Sequence, residues 1–299
     1  MSVEFCGLQL AHPIVNGSGT FDAIAATRAF GQDLRANFPF AAYVSKTITL
    51  RPRDGNPPPR LWEAPAGLIN SIGLPNKGLN GYLDEDLPQL AGLRTRVGEG
   101  TGAESWPVPV ITNVMGSSAE ELRALVEACD ARSEIAAIEL NVSCPNVKTG
   151  LDIGADPAQL EAVVRAVRDA TAKPLIVKLT PNTADVAQCA LAAERGGADA
   201  VSLINTLRAM ALAPASHAAG PSRWLGGGTG GLSGPAIRPV ALAQVAAVAA
   251  RLKIPIIGMG GVQSAAHARE LMAVGASLVA VGSESFRDPA IGATIAREL

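Results

Sequence analysis

From one end of the chain to the other, short aliphatic and β-branched runs alternate with longer amphipathic stretches, and this alternation restricts the fold more than any other feature. It is the pattern of βαβ units, in which a helix returns the chain so that successive strands lie parallel. Eight strand-like runs can be drawn, at residues 13–16, 41–49, 108–114, 136–142, 174–179, 198–205, 254–258 and 277–281. Helix starts are signalled between them. Asp156 precedes Pro157 with Gln159 at the third helical position, and Leu160, Val163, Val164 and Val167 follow at i, i+3, i+4 and i+7. Ser118 and Glu121 open another helix in the same way. The segment from Gly197 to Val201 is echoed from Gly275 to Val279, each at a helix-to-strand junction. Eight such units in 299 residues predict an α/β fold of the TIM (β/α)8 barrel type, with the whole of 1–299 as one domain.

Two stretches exceed the bare repeat. Residues 50–106 form a large excursion after strand 2, rich in proline and glycine, with one helix expected near 79–93. Residues 209–231 read as a second loop, and its glycine run from Gly226 to Gly231, with no strand before it, reads as flexible. Both leave from the carboxyl end of a strand, the face on which barrel enzymes build their sites.

Composition removes several function classes. With 48% hydrophobic and only 17% charged residues the chain can bury a large core, so global disorder is excluded. Twenty-five basic against 27 acidic residues give a net charge of -2, and no basic run could track a phosphate backbone, so nucleic acid is not expected as a partner. No run approaches the ~18 apolar residues of a membrane span, and the start of the chain lacks the basic and apolar regions of a signal peptide, which predicts a soluble cytoplasmic protein. Cys6, Cys129, Cys144 and Cys189 lie far apart, so no zinc or iron–sulfur site can be drawn from their spacing. His12, His217 and His267 are scattered away from strand ends and read as surface or loop residues.

The strand ends are the informative positions. In order they carry Asn16 with Ser18 and Gly19, Lys46 with Thr47, Asn113, Asn141 with Ser143 and Cys144, Lys178, Asn205 with Thr206, Gly260 with Gly261, and Gly282 with Ser283. Lysines and asparagines where apolar strands terminate must be desolvated or hydrogen-bonded, which points to a shared polar ligand. Glycines after strands seven and eight leave backbone N–H groups open to an anion, the usual phosphate position in such barrels. Together with Lys46 and Lys178 this suits a phosphorylated planar cofactor such as FMN. Cys144, just past a strand end and ahead of Pro145, is a candidate base or nucleophile, against the plainer reading of a small buried hydrophobe. That plainer reading covers Cys129 and Cys189, which continue apolar helix faces.

The run from Asn141 through Ser143, Cys144, Pro145 and Asn146 to Gly150, together with Asn70 to Leu74, Ile204-Asn205-Thr206 and Thr229 to Pro235, resembles the dihydroorotate dehydrogenases over nearly the whole chain. Cysteine at the base position resembles the class 1 enzymes, and Val147 to Gly150 resembles class 1B. The resemblance implies oxidation of dihydroorotate to orotate, with Cys144 taking a proton from C5 while hydride leaves C6 for N5 of FMN. It implies substrate contacts from Lys46, Asn70, Ser71, Ile72, Gly73, Leu74, Asn141, Asn205 and Thr206. It implies FMN contacts from Ser18, Lys46, Thr47, Asn113, Asn141, Lys178, Ile204, Gly234, Gly260, Gly261, Gly282 and Ser283, and no metal. A homodimer is implied, with a separate FAD and iron–sulfur subunit passing electrons to NAD. The chain departs from the pattern in the longer segment 94–106 and in ending soon after Pro289. Competing readings are a dihydropyrimidine dehydrogenase-like flavin enzyme, a class 1A enzyme using fumarate, and a non-catalytic flavin-binding barrel. On the class 1 reading Cys144→Ser retains FMN yet loses most turnover at pH 7, because a thiol of ordinary pKa about 8.5 is partly ionised there and a hydroxyl is not. Steady-state assays of flavin-loaded protein check this, and wild-type turnover would remove Cys144 as the base.

Overall fold

The computed structural model describes residues 2–98, 102–142, 153–214 and 222–299. Each apolar run contains a strand: β1 (Ile14–Asn16), β2 (Tyr43–Val44), β3 (Val110–Val114), β4 (Ile135–Asn141), β5 (Leu175–Lys178), β6 (Ala200–Leu203), β7 (Ile256–Met259) and β8 (Leu278–Val281). They form one sheet in the order β1-β8-β7-β6-β5-β4-β3-β2 with every neighbouring pair parallel. The sheet curls until β1 and β2, its two edges, meet as the last seam of a TIM barrel.

That seam is made by a side chain. Backbone contributes one bond across it, from Ala41 N to Ile14 O at 2.9 Å. Further along, the amide of Asn16 stands in for a peptide group: its Nδ2 donates to Val44 O at 2.8 Å, and its Oδ1 accepts from Val44 N at 2.9 Å. Asn16 is completely buried, so neither Val44 group has water as an alternative. The second strand is shorter than the expected 41–49 for a related reason. Past Val44, the N–H of Asn113 is taken by the Ser45 hydroxyl at 3.0 Å, and pairing resumes only as a bridge between Ile48 and Val114.

Alternation of side chains along the strands divides the core into two. One cluster, with Ile14, Val110, Ile138, Val177, Val201 and Val279, packs outward against helix residues such as Leu122, Val164, Val245 and Leu271. The other fills the barrel with Val15, Val44, Ile111, Ala137, Ile176, Ala200, Ile257, Leu278 and Ala280, and is closed at the amino end by Phe5 and Leu10 of the hairpin Val3–Phe5 and Leu8–Leu10. Helices start at the expected caps. Asp156 accepts from Ala158 N and Gln159 N ahead of Pro157–Arg168, and Ser118 accepts from Glu121 N ahead of Ala119–Asp130. Gly197, with φ +98°, ends the helix Val186–Gly196 in the left-handed conformation, and Gly275, with φ +112°, occupies the equivalent junction of the sequence echo.

The excursion after β2 holds a hairpin, Leu61–Ala64 and Gly67–Asn70, then one helical stretch from Gly78 to Leu90 whose middle turn is a π-turn. Tyr82 anchors that stretch to the barrel through a buried bond to Thr112 Oγ1 at 2.8 Å. Two expectations are corrected. The glycine run is not a free loop: Gly230–Ser233 is a strand, placed between Leu207–Ala209 and Gly67–Asn70 in a four-stranded antiparallel sheet. Its glycines answer to crowding, since a Cβ on Gly231 would lie 1.9 Å from Thr206 Oγ1, one on Gly230 2.4 Å from Asn70 O, and one on Gly226 1.8 Å from Pro57 O. His12 is buried rather than exposed, and burial pushes its imidazole down to about 4.

Replacing Asn16 by alanine strands both Val44 groups. Since a buried unsatisfied group costs about 1–3 kcal/mol, we expect a loss near 3 kcal/mol in urea unfolding. Asn16→Asp, which accepts but cannot donate, is expected to recover little of it. Unfolding free energies within about 0.5 kcal/mol of wild type would show the seam to be held otherwise.

Candidate active site

Because side chains alternate, the residues two places beyond the apolar filling face the barrel's carboxyl end. Following Ile111, Ala137, Ile176 and Ala200 along their strands leads to Asn113, Glu139 and then Asn141, Lys178, and Ser202. On the other side, Val15, Met259 and Ala280 lead to Gly17, Gly261 and Gly282. The mouth is therefore lopsided, with amides and cations on one wall and bare backbone on the other.

Between these walls lies a cavity of about 390 Å³, within the ordinary range for a small-molecule site. Of the expected residues, Ser18, Lys46, Thr47, Asn70, Ile72, Leu74, Asn141, Lys178, Ile204, Asn205, Thr206, Gly234, Gly260, Gly261, Gly282 and Ser283 line it. Ser71 and Gly73 do not. Ser71 is fully buried with its hydroxyl on Thr229 O at 2.8 Å, and Gly73 turns with φ +75° against Asn56. Both hold the neighbouring Asn70, Ile72 and Leu74 in place. Asn113 lies behind the wall, its Nδ2 donating to the buried carboxylate of Glu139. Cys144 and Ser143 lie outside the described residues, as does His217. The cavity also includes Gly17, Thr20, Leu61, Leu68, Ser233, Ile237, Met259 and Phe286. Gly17 and Met259 could have been found from strand alternation. Leu61, Leu68 and Ser233 arrive through the accessory sheet, whose pairing leaves no local signal.

Hydrogen bonds hold the polar wall rigid. Ser18 donates to Ser45 O at 2.8 Å, Asn141 Nδ2 donates to Thr47 Oγ1 at 3.2 Å, and Asn70 Nδ2 donates to Gly231 O at 3.2 Å. Lys178 is buried, at the end of β5. Lys46 stands at the mouth, where desolvation by the surrounding walls pulls its ammonium below the ordinary lysine range. Asp22 opposes that shift and Arg60 adds to it.

These features fit a phosphorylated flat ring such as FMN. A Cβ on Gly282 would meet only Thr20 Cγ2 at 4.0 Å, so at that position the bare backbone serves the cavity rather than protein packing. Gly260 and Gly261, with φ +137° and +68°, hold their turn close against Ala241 and Arg238 of the helix Arg238–Ala249. Within the protein, the buried Oδ1 of Asn113 is an acceptor with no donor among the described residues.

Fold and cavity together define a barrel enzyme whose site takes a polar, partly anionic ring compound at the carboxyl ends of its strands. The profile of the dihydroorotate dehydrogenase family matches residues 1–299, and the chain belongs to that family. Similar curated proteins include the catalytic subunits of dihydroorotate dehydrogenase B (NAD(+)) from Citrifermentans bemidjiense, 42% identical over 300 residues covering 100% of this chain and 92% of that one, and from Pelobacter propionicus, 43% identical over 300 residues covering 99% and 91%. The protein of the same name from Geobacter metallireducens is 41% identical over 303 residues, covering 100% and 92%.

Lys46 generates a pH prediction. An anion in the cavity favours the charged ammonium, so orotate affinity should be level below the lowered Lys46 pKa and fall as pH rises through it, by up to about tenfold per pH unit. Lys46→Arg should move that fall upward, since guanidinium stays charged. Orotate titrations followed by absorbance across pH check this, and an unchanged profile in the arginine variant would assign the fall elsewhere.

Proposed function

We propose that this chain is the catalytic subunit of an NAD-linked dihydroorotate dehydrogenase, a single barrel domain that oxidises dihydroorotate to orotate in pyrimidine biosynthesis. The observation carrying this reading is the lopsided cavity, in which Lys46, Asn141, Lys178 and Asn205 face the glycine wall of β1, β7 and β8. The full-length likeness to NAD(+)-linked catalytic subunits supports it.

FMN supplies the acceptor for the hydride that leaves C6 of the substrate. The protein's part is to place and hold. Gly260, Gly261, Gly282 and Ser283 offer backbone to the phosphate, while Lys178, Thr47 and Ser18 meet the polar side of the ring. Asn70, Asn141, Asn205 and Thr206 present donors and acceptors in fixed directions, as a flat substrate with several ring N–H and C=O groups requires. Lys46 brings positive charge beside the substrate, where negative charge builds as C–H bonds break. Cys144, on the segment after β4, takes the C5 proton, and the ring must be gripped so that this group and FMN work on opposite faces.

Electrons must then leave. No local cysteine spacing suits a cluster, and the sequence offers no strand–glycine–helix dinucleotide unit, so the electrons need an outlet elsewhere, which the class 1B resemblance implies to be a separate FAD and iron–sulfur subunit passing them to NAD. No helix among the described residues is long and apolar enough to cross a membrane, and a cytoplasmic location goes with this reading.

Anaerobic dihydroorotate is expected to bleach the flavin absorbance of the FMN-loaded chain stoichiometrically, while NAD is reduced efficiently only once the second subunit is added. Failure to bleach would overturn the reading. Fast fumarate reduction by the chain alone would move it to a fumarate-using enzyme.

A further inference from the structure

Among the described residues one acidic and one lysine side chain are buried, Glu139 at 2% exposure and Lys178 at 6%. They stand on adjacent strands and face the same interior. Lys178 is in register with Asn141, which lies two residues beyond Glu139 on the same face of β4. The carboxylate thus sits one layer below the cavity wall. Its Oε1 accepts from Ser202 Oγ at 2.6 Å, reaching past β5 to β6, and its Oε2 accepts from Asn113 Nδ2. A hydroxyl and an amide NH2, one on each oxygen, are donors suited to a carboxylate. This fixes the amide of Asn113 as well: the NH2 must face Glu139, which leaves Oδ1 as the orphaned acceptor.

Neutral donors only partly offset a buried carboxylate, which persists in a low-dielectric interior when an opposite charge is near. Lys178 is the buried cation of the same interior, and it lines the cavity. We propose that Glu139 is a positioning and charge-setting residue. It locks the Asn113 amide and offsets the Lys178 ammonium, so that it weakens the preference of the site for the electron-rich, reduced form of a bound flavin. The inference rests on the reading that the cavity holds FMN. Charge acts here through space: an uncompensated ammonium beside the ring stabilises added electrons, and a carboxylate beneath that ammonium cancels part of the effect.

The test uses the full chain loaded with FMN. Glu139→Gln keeps the shape and both hydrogen bonds, since its carbonyl accepts from Asn113 and its NH2 can donate to Ser202. It is expected to raise the affinity ratio for reduced over oxidised FMN about fivefold or more, seen as a more positive midpoint potential in an anaerobic dye-equilibrated titration. Ser202→Ala withdraws a donor while leaving the charge, and is expected to move the potential the opposite way. Glu139→Asp, which keeps the charge, should stay on the wild-type side of Glu139→Gln. If Glu139→Gln does not hold flavin, the sign of the Ser202→Ala shift decides. Potentials equal to wild type in the variants that bind FMN would make Glu139 a purely structural residue and overturn the inference, with the FMN reading intact. Wild-type chain that binds no FMN in fluorescence titration would instead overturn both.

Discussion

A parallel sheet can lose its edges only by closing, and here closure hangs on one amide. Between β1 and β2 the backbone ladder contributes a single bond, and the rest of the pairing within these strands is the Asn16 side chain on both polar groups of Val44, with Ser18 Oγ on Ser45 O just beyond them. The arrangement gives the mouth its freedom. A full ladder through residues 41–49 would tie the chain to β1 and β3 up to the rim. The short β2 lets Ser45, Lys46 and Thr47 leave the sheet plane, where Ser45 meets Asn113 N, Thr47 meets Asn141, and Lys46 turns to the cavity. The same residues that would have extended the strand become the polar wall.

What could be read beforehand follows from this division. Strand runs, helix caps at Asp156 and Ser118, and the left-handed glycines Gly197 and Gly275 are written in local chemistry, and each stands where that chemistry puts it. The accessory sheet is not local. Gly230–Ser233 carries no alternation and no β-branched residue, because its pairing depends on how closely Asn70 and Thr206 approach, and only glycine permits that approach. A glycine run required by crowding and one required by flexibility look alike in a sequence. Partners 161 residues apart, Asn70 and Gly231, tell them apart.

The site shows the same limit at finer scale. Strand-end residues came together as expected, since the barrel brings all eight ends to one face. Ser71 and Gly73, flanked by cavity residues, and Asn113, bonded to Glu139, stand one step behind them. Glu139 escaped notice altogether. It lies inside a strand run rather than at its end, and there a single acidic residue gives no sign of facing inward or outward until the register with Asn113 is known.

Polarity is graded along the barrel axis, and the grading explains why chemistry sits at one end only. At the amino end Phe5 and Leu10 close an interior filled mainly by buried alanine, valine, leucine and isoleucine. Two residues further along the same strand faces, the filling changes to Asn113, Glu139, Asn141, Lys178 and Ser202. Charges placed there have apolar packing beneath them and a cavity above, so their fields are weakly screened toward the ligand side. Strand-borne groups also move less than loop-borne ones, and the hydrogen bonds among Ser18, Ser45, Thr47 and Asn141 remove what freedom remains. The excursions then need only cover the mouth. They do so with a sheet that joins Leu61–Ala64 and Gly67–Asn70 to Gly230–Ser233 and Leu207–Ala209, so that the two excursions share one wall in which Asn70 and Thr206 both lie against its glycines.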